Sequence, residues 1–383
     1  DLARKSRKRL QIRLVKGAYW DTEIKQAQMQ GWSDYPVFTR KISTDVSYLA
    51  CAKRLLDNRD VVFVKFATHN AYSVAAILTL MQQSQSTEAV EFQNLQGMGK
   101  SLHAQILALG IPCRVYAPVG THEDLLPYLV RRLLENGANS SFVNQLADQS
   151  LQIEDFVQNP LQRLQQLDSV AHDKIPLPVD IFSGRVNSAG VNLTDFAVLQ
   201  ALQDEVKLFM SVGYQAAPQH RWQQDQLLHC VKNPAHLNDI VGEVQYANQE
   251  QVDEAMHIAG RAFVDWNSRS VDERADVLDS LANVLEANYA ELIALSIREA
   301  GKVVVDAIDE IREAVDFCRY YAMQARLLMP SQSLQGYTGE SDTLSLSGRG
   351  VFVCVSPWNF PVAIFVGQVV AALVTGNTVV AKP

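Results

Sequence analysis

Four short apolar runs punctuate the first 150 residues, and each is followed by a stretch of good helix formers. QIRLVKG (11–17) precedes DTEIKQAQMQG, and VVFVKFAT (61–68) precedes HNAYSVAAILTLMQQ, which carries an apolar stripe. VEFQNL (90–95) precedes GKSLHAQILALG, and CRVYAPV (113–119) precedes THEDLLPYLVRRLLENG. In the last helix Thr121 is placed as N-cap, Glu123 and Asp124 put acid in the first turn, and Gly137 marks the stop. The pattern predicts four consecutive βα units, right-handed crossovers and a parallel sheet. Four units are half of an eight-fold barrel. An open half-barrel would leave strand edges and an apolar inner face uncovered, so the other half is expected upstream of Asp1.

Beyond this stretch the pattern changes. Residues 151–222 are polar and Gln-rich, broken by IPLPVD and FSGRVNSAG, with one helical run in LTDFAVLQALQDEVKLFMSVG. From Gln226 short extended segments lead into long amphipathic helices at about 250–328, and strands return after Gln335 in DTLSLSGRGVFVCVSPWNFP. The final β–loop–α–β unit, ending at Lys382 and Pro383, reads as the start of a doubly wound nucleotide-binding sheet cut after its second strand. VAIFVGQVVAALVTGNTVV (362–380) approaches the length of a membrane span. Gln368, Thr375, Gly376 and Asn377 interrupt it, so it is read as a buried helix and then a buried strand. The expected fold is therefore α/β, with half a barrel at 1–150, a connector at 151–224 and the N-terminal part of a Rossmann-like domain at 225–383.

Composition narrows the class. With 383 residues, of which 48% are hydrophobic, the chain is long enough for two or three domains with developed cores and is not a disordered protein. The 34 Lys+Arg against 42 Asp+Glu give a net charge of -8, which argues against nucleic acid as the main partner of this stretch. Five scattered cysteines with no CxxC read as reduced intracellular thiols used for packing, not as metal ligands. The basic start, DLARKSRKRLQIRL, lacks the apolar core of a signal peptide and reads as a solvated helix end or loop. A chain that opens on Asp1 and stops after VVAKP is expected to be a piece of something longer.

In a βα-barrel the reacting groups stand at the C-terminal ends of the strands. Those ends are KGAYW (16–20), ATHN (67–70), QNLQG (93–97) and YAPVG (116–120), each with polar or aromatic groups able to reach a ligand. Arg131 and Arg132, with Glu135 at i+4 from Arg131, form either a solvated helix face or a carboxylate clamp in which Glu135 holds one fork. NLQGMGKS resembles a phosphate-binding P-loop, but that motif needs Gly where Asn94 stands, which sets an ATPase reading aside.

IRLVKGAYWDTEIK, FATHNAYSVA, EFQNLQGMG and CRVYAPVGTHEDLLPYLVRRLLENGANSSFVN resemble the proline dehydrogenase barrel of the bifunctional proline utilization A family. The resemblance runs through nearly all of residues 10–150 and implies a distorted barrel holding FAD, with hydride passing from the proline ring to the flavin. It puts Arg13 near flavin N5 and has Lys16, Gly17, Tyr19 and Trp20 line the isoalloxazine and its chain. It assigns Thr39, Lys41, Thr68, His69, Asn70 and Gln93 to the rest of FAD. Arg131 and Arg132 would bind the substrate carboxylate, Tyr116 would pack on the ring, and Glu135 and Phe142 would support the pocket. The chemistry agrees, because a guanidinium stabilises charge gained by the flavin and a fixed carboxylate aims the substrate C–H.

SPWNFP (356–361), the helices around LIREAGKVVVDAIDEIREAVDFCRYYA and the ending NTVVAKP are similar to aldehyde dehydrogenases over about residues 225–383. Within the same family this implies an NAD-dependent glutamate semialdehyde dehydrogenase. Asn359 would donate to the oxyanion, Ser356, Pro357 and Trp358 would line the NAD groove, and Lys382 would hydrogen-bond the adenosine ribose. Aldehyde oxidation also needs a cysteine nucleophile and an activating carboxylate, which the family places downstream of the lysine matching Lys382; Cys354 is read as packing. The expected function is proline oxidation to glutamate through these two activities, and the alternative is a non-catalytic binding or assembly remnant. The resemblance further implies a cytoplasmic, homo-oligomeric protein only peripherally attached to membrane and a membrane quinone as electron acceptor, and it leaves any DNA binding to a module outside this chain.

Overall fold

The structure, a computed structural model, describes residues 2–16, 19–83, 89–137 (131–137 as backbone only), 159–218, 221, 223 and 226–383. The chain divides into two compact units, Asp1–Gln26 with Tyr35–Pro176, and Ala27–Asp34 with Leu177–Pro383.

The first unit begins with α1 (Leu2–Ser6), β1 (Leu10–Val15), α2 (Trp20–Met29), α3 (Lys41–Leu56) and β2 (Val62–Ala67). It continues through α4 (Ala71–Gln83), β3 (Val90–Leu95), α5 (Lys100–Ala108), β4 (Cys113–Tyr116), α6 (His122–Gly137) and the short α7 (Pro160–Gln165). The four strands form one sheet in the order β1-β2-β3-β4, every pair parallel. These are the consecutive βα units expected from the sequence. Helix α3 adds to that pattern; its Tyr48, Ala52 and Leu56 are buried against the sheet.

Alternation along each strand sends successive side chains to opposite faces. Val62, Val64 and Phe66 of β2 and Val90 and Phe92 of β3 pack with Tyr48, Val74, Ile77, Met81 and Ile106 into one core. Phe66 and Phe92 stand 5.6 Å apart within it. The other face corrects the expectation of an apolar inner surface. It carries Gln11, Arg13, Lys65, Glu91, Gln93, Arg114 and Tyr116 at alternating positions. These groups satisfy one another across the strands: Lys65 Nζ donates to Gln11 Oε1 at 2.7 Å, and Arg114 puts two bonds of 2.9 Å on Glu91. The runs of β2 and β3 thus each turn one face to the dry core and carry polar groups on the other.

The second unit contains α8 (Phe196–Phe209), capped by Asp195, and a mixed sheet of β5 (Tyr214–Ala216), β6 (His229–Asn233) and β7 (His236–Val244) in the order β5-β7-β6. Four helices follow, α9 (Gln249–Ser268), α10 (Val271–Ala287), α11 (Tyr289–Ala300) and α12 (Val304–Leu328). Reciprocal capping boxes, Asn248 with Gln251 and Ser270 with Glu273, start the first two. After the hairpin β8 (Gln332–Leu334) and β9 (Asp342–Leu344) come β10 (Val351–Val355), α13 (Ala363–Val374) and β11 (Thr378–Lys382).

Strands β10 and β11 pair in parallel across α13, the βαβ arrangement expected. Residues 362–380 are accordingly helix then strand, and among the described residues no helix is long and apolar enough to cross a membrane. Leu278, Ala282, Val315, Cys318, Ala322 and Val370 centre the core, and burial pushes the Cys318 thiol up to about 12. Polar residues of the connector are tied down as well. Arg185 Nη1 and Ser188 Oγ both donate to Asp316, at 2.6 and 2.9 Å.

Candidate functional site

The C-terminal ends of β1, β3 and β4 bring Arg13, Gln93 and Tyr116 together. Arg13 Nε donates to Gln93 Oε1 at 2.9 Å, and its guanidinium carbon lies 5.0 Å from the centre of the Tyr116 ring. Gln93 Nε2 in turn donates to Glu91 Oε1 at 2.7 Å. Glu91 and Gln93 are buried, and Arg114 grips the Glu91 carboxylate with Nε and Nη2. That grip holds the Glu91 carboxyl below the usual carboxylate range. Each hydrogen-bonding group in this row therefore has a fixed partner up to Arg13. Among the described residues only its Nε is so engaged.

Lys16 follows β1 directly. Its Nζ donates at 2.7 Å to both Asp45 Oδ1 and Ser73 Oγ and lies 4.9 Å from the Tyr48 ring centre. Burial lowers the Lys16 pKa against the pull of Asp45. Asn70 caps α4, its Oδ1 accepting from Ser73 N at 2.9 Å, while Thr68 Oγ1 accepts from Asn70 N at 3.1 Å. His69 Nε2 accepts from the Leu95 amide at 3.2 Å, so a neutral ring carries its proton on Nδ1. The tight turn after β3 needs glycine: Gly99 has φ +60°, and a Cβ there would stand 3.1 Å from His69 Cδ2 and 3.2 Å from His103 Nδ1. Asn94, the residue that excluded a P-loop, closes this turn by donating to Met98 O at 3.0 Å.

Other expected residues make contacts of their own. Trp20 Nε1 donates to Phe38 O at 2.8 Å, and Thr39 Oγ1 accepts from His172 N at 3.0 Å. Lys41 pairs with Asp45 at 3.8 Å, and Tyr19 is exposed. Arg131, Arg132 and Glu135 lie on α6; their side chains, like Gly17 and Phe142, fall outside the described residues. Asp45, Tyr48, Ser73, Glu91 and Arg114 are additions that the sequence reading missed. Glu91 and Arg114 were findable, since VEFQNL and CRVY each place a polar residue on the same alternating face as Gln93 and Tyr116.

In the second unit β10 leads into SPWNFP. Ser356 N donates to Lys382 O at 3.1 Å, which joins the two strand ends, and its buried Oγ has no hydrogen-bond partner among the described residues. Pro357 and Asn359 are exposed, as is Trp358 at 85%. Cys354 is buried on β10 and its thiol is pushed up by burial, which suits packing and not nucleophilic attack. Behind the loop, Glu310 Oε1 accepts from Val362 N at 2.7 Å and Ala363 N at 3.2 Å, fixing the start of α13. Lys302 Nζ lies 2.5 Å from Glu310 Oε2 and 4.6 Å from the centre of the Phe360 ring.

These donor sets fit organic cofactors. The first site offers cationic and amide donors beside buried polar atoms that lack a hydrogen-bond partner among the described residues, Tyr48 Oη, Asn94 Oδ1 and His103 Nε2; the second offers Ser356 Oγ. Among the described residues no cluster of His, Cys, Asp or Glu could hold a metal ion.

Residues 1–145 match the proline dehydrogenase family and residues 222–383 the aldehyde dehydrogenase family. Over 397 aligned residues the chain is 46% identical to the bifunctional protein PutA of Salmonella typhimurium, with 100% of this chain and 29% of that protein covered. A 1-pyrroline-5-carboxylate dehydrogenase of Geobacillus sp. is 40% identical over 151 residues, which cover 39% of this chain and 29% of that protein. A crystal structure of a Bradyrhizobium japonicum proline utilization A mutant superposes with a TM-score of 0.83 at 45% identity, covering 100% of this chain and 36% of that one. The chain thus spans less than half the length of each of these relatives. With a proline dehydrogenase stretch followed by an aldehyde dehydrogenase stretch in one continuous match, this chain belongs to the bifunctional proline utilization A family.

Proposed function

We propose that this chain is part of an enzyme that oxidises L-proline to L-glutamate. An FAD-dependent proline dehydrogenase activity to which residues 1–150 contribute forms 1-pyrroline-5-carboxylate. Its hydrolysis product, glutamate semialdehyde, is the substrate of an NAD-dependent activity to which residues 225–383 contribute, with 151–224 as connector. The convergence of Arg13, Gln93 and Tyr116 at the C-terminal ends of parallel strands carries this reading. Bound FAD and NAD supply the two hydride acceptors.

The chain's own groups bind and orient. Arg131 and Arg132 hold the substrate carboxylate as a bidentate pair, supported by Glu135 and Phe142, and Tyr116 packs on the proline ring. Arg13 keeps positive charge where the electron acceptor becomes electron-rich. Lys16, Gly17, Tyr19, Trp20, Thr39, Lys41, Thr68, His69, Asn70 and Gln93 bound the flavin and its chain. Asn359 donates its amide to the aldehyde oxygen as charge develops there, Ser356, Pro357 and Trp358 line the NAD groove, and Lys382 meets the ribose. The protein is cytoplasmic and homo-oligomeric and passes its flavin electrons to a membrane quinone by peripheral attachment, and any contact with DNA falls to a module outside this stretch.

The test is product formation. Full-length protein given L-proline, an electron acceptor and NAD should yield glutamate with matching NADH. Pyrroline-5-carboxylate without glutamate would refute the second activity, and no product at all would refute the reading.

A further inference from the structure

We infer that Glu91 is a positioning residue for Arg13, acting through the Gln93 amide, a role that rests on the reading of Arg13 given above. A glutamine side chain can present either its oxygen or its nitrogen to a neighbour, and a guanidinium can only donate. Glu91 settles that choice. Its Oε1 takes the Gln93 Nε2 proton at 2.7 Å, which turns Gln93 Oε1 onto Arg13 Nε at 2.9 Å. Arg114 fixes the carboxylate itself with bonds of 2.9 Å to each oxygen. Gln93 therefore holds Arg13 by its Nε while Tyr116 covers its face, and the terminal nitrogens of Arg13, with no hydrogen-bond partner among the described residues, are left for a ligand at the strand mouth. Glu91 reaches Arg13 only through the Gln93 amide, so the carboxylate acts at one remove.

Two roles for Glu91 differ in sign. As a mere negative charge it makes the flavin harder to reduce, so its removal would raise the midpoint potential. As the anchor of the Gln93–Arg13 arm it keeps a cation in place, so its removal lowers the potential.

Full-length protein carrying Glu91→Ala, Glu91→Gln or Arg13→Met should be compared for FAD content, midpoint potential and proline kinetics. Glu91→Ala is expected to retain FAD, to lower the potential, and to cut kcat about ten-fold with KM for proline nearly unchanged. Glu91→Gln keeps one acceptor oxygen for Gln93 and should lie nearer the wild type; a charge-only role would make the two variants alike. Adding Glu91→Ala to Arg13→Met should cost nothing further. A raised or unchanged potential in Glu91→Ala, additive losses in the double variant, or loss of FAD from both Glu91 variants would overturn the inference. An unchanged potential in Arg13→Met would instead overturn the reading of Arg13 on which it rests.

Discussion

The loop carrying Asn359 is held from behind by a buried charge, and Glu310→Ala should release it. The Glu310 side chain is 1% exposed, accepts two amide hydrogens at the start of α13, and faces Lys302 at 2.5 Å. Removing one member of a buried ion pair costs about 3–5 kcal/mol, because the partner is left desolvated and uncompensated. The freed Val362 and Ala363 amides belong to that loss, so about 4 kcal/mol is expected for the segment. At 1.4 kcal/mol per factor of ten this is about a thousand-fold loss of amide-exchange protection. Hydrogen exchange read by mass spectrometry over residues 360–367 measures it locally, without requiring the whole protein to unfold in one step. Pairing Glu310→Gln with Lys302→Met should recover much of the protection lost in Glu310→Gln alone, since neutral replacements of a buried pair are tolerated better than a broken one. Protection within a few-fold of wild type in Glu310→Ala would refute the reasoning, as would a double variant worse than either single one.

Other consequences follow from single contacts. Arg298 holds the Asp239 carboxyl down to about 2, so the stability this pair contributes is present above the ordinary value of 3.8 and is lost as pH falls toward 2. Asp239→Asn should therefore flatten the acid limb of a fluorescence-monitored pH titration, and unchanged limbs would contradict it. Gly190→Ala would set a Cβ 1.8 Å from Gln30 O, where Gly190 N also donates to Gly31 O at 2.8 Å. The backbone must shift at a cost of about 1–3 kcal/mol, visible as a lower thermal midpoint. Phe92→Ala empties a fully buried site in the core of the first unit and should cost about 3–5 kcal/mol in urea unfolding, against under 1 kcal/mol for a mere surface effect.

Much of this architecture is legible in the residues, and what was missed has physical causes. VEFQNL is observed as β3 over the same six residues because flanking turn residues and uniform burial leave no ambiguity. The inner sheet face was misjudged because the runs were weighed for overall apolarity and not for their period of two, which Arg13, Lys65, Glu91, Gln93 and Arg114 keep throughout. Helix α3 escaped notice because KISTDVSYLACAKRLL mixes Ser and Thr with its apolar positions, and packing on the sheet decides the matter. Glu310 meeting Val362 across 52 positions, or Lys16 meeting Ser73 across 57, depends on tertiary folding that no local spacing reports. Gln93 and Tyr116 lie in the strand-end stretches that a βα-barrel singles out, whereas Arg13 is named by the resemblance alone; in the structure the three stand together.

On the function proposed, the strand ends of the first unit bind a flavin and oxidise L-proline on it. The most direct test is the visible absorption of purified full-length protein under anaerobic conditions. The expected result is a bound-flavin spectrum that bleaches when L-proline is added. A colourless protein, or a flavin that L-proline leaves oxidised, would contradict it.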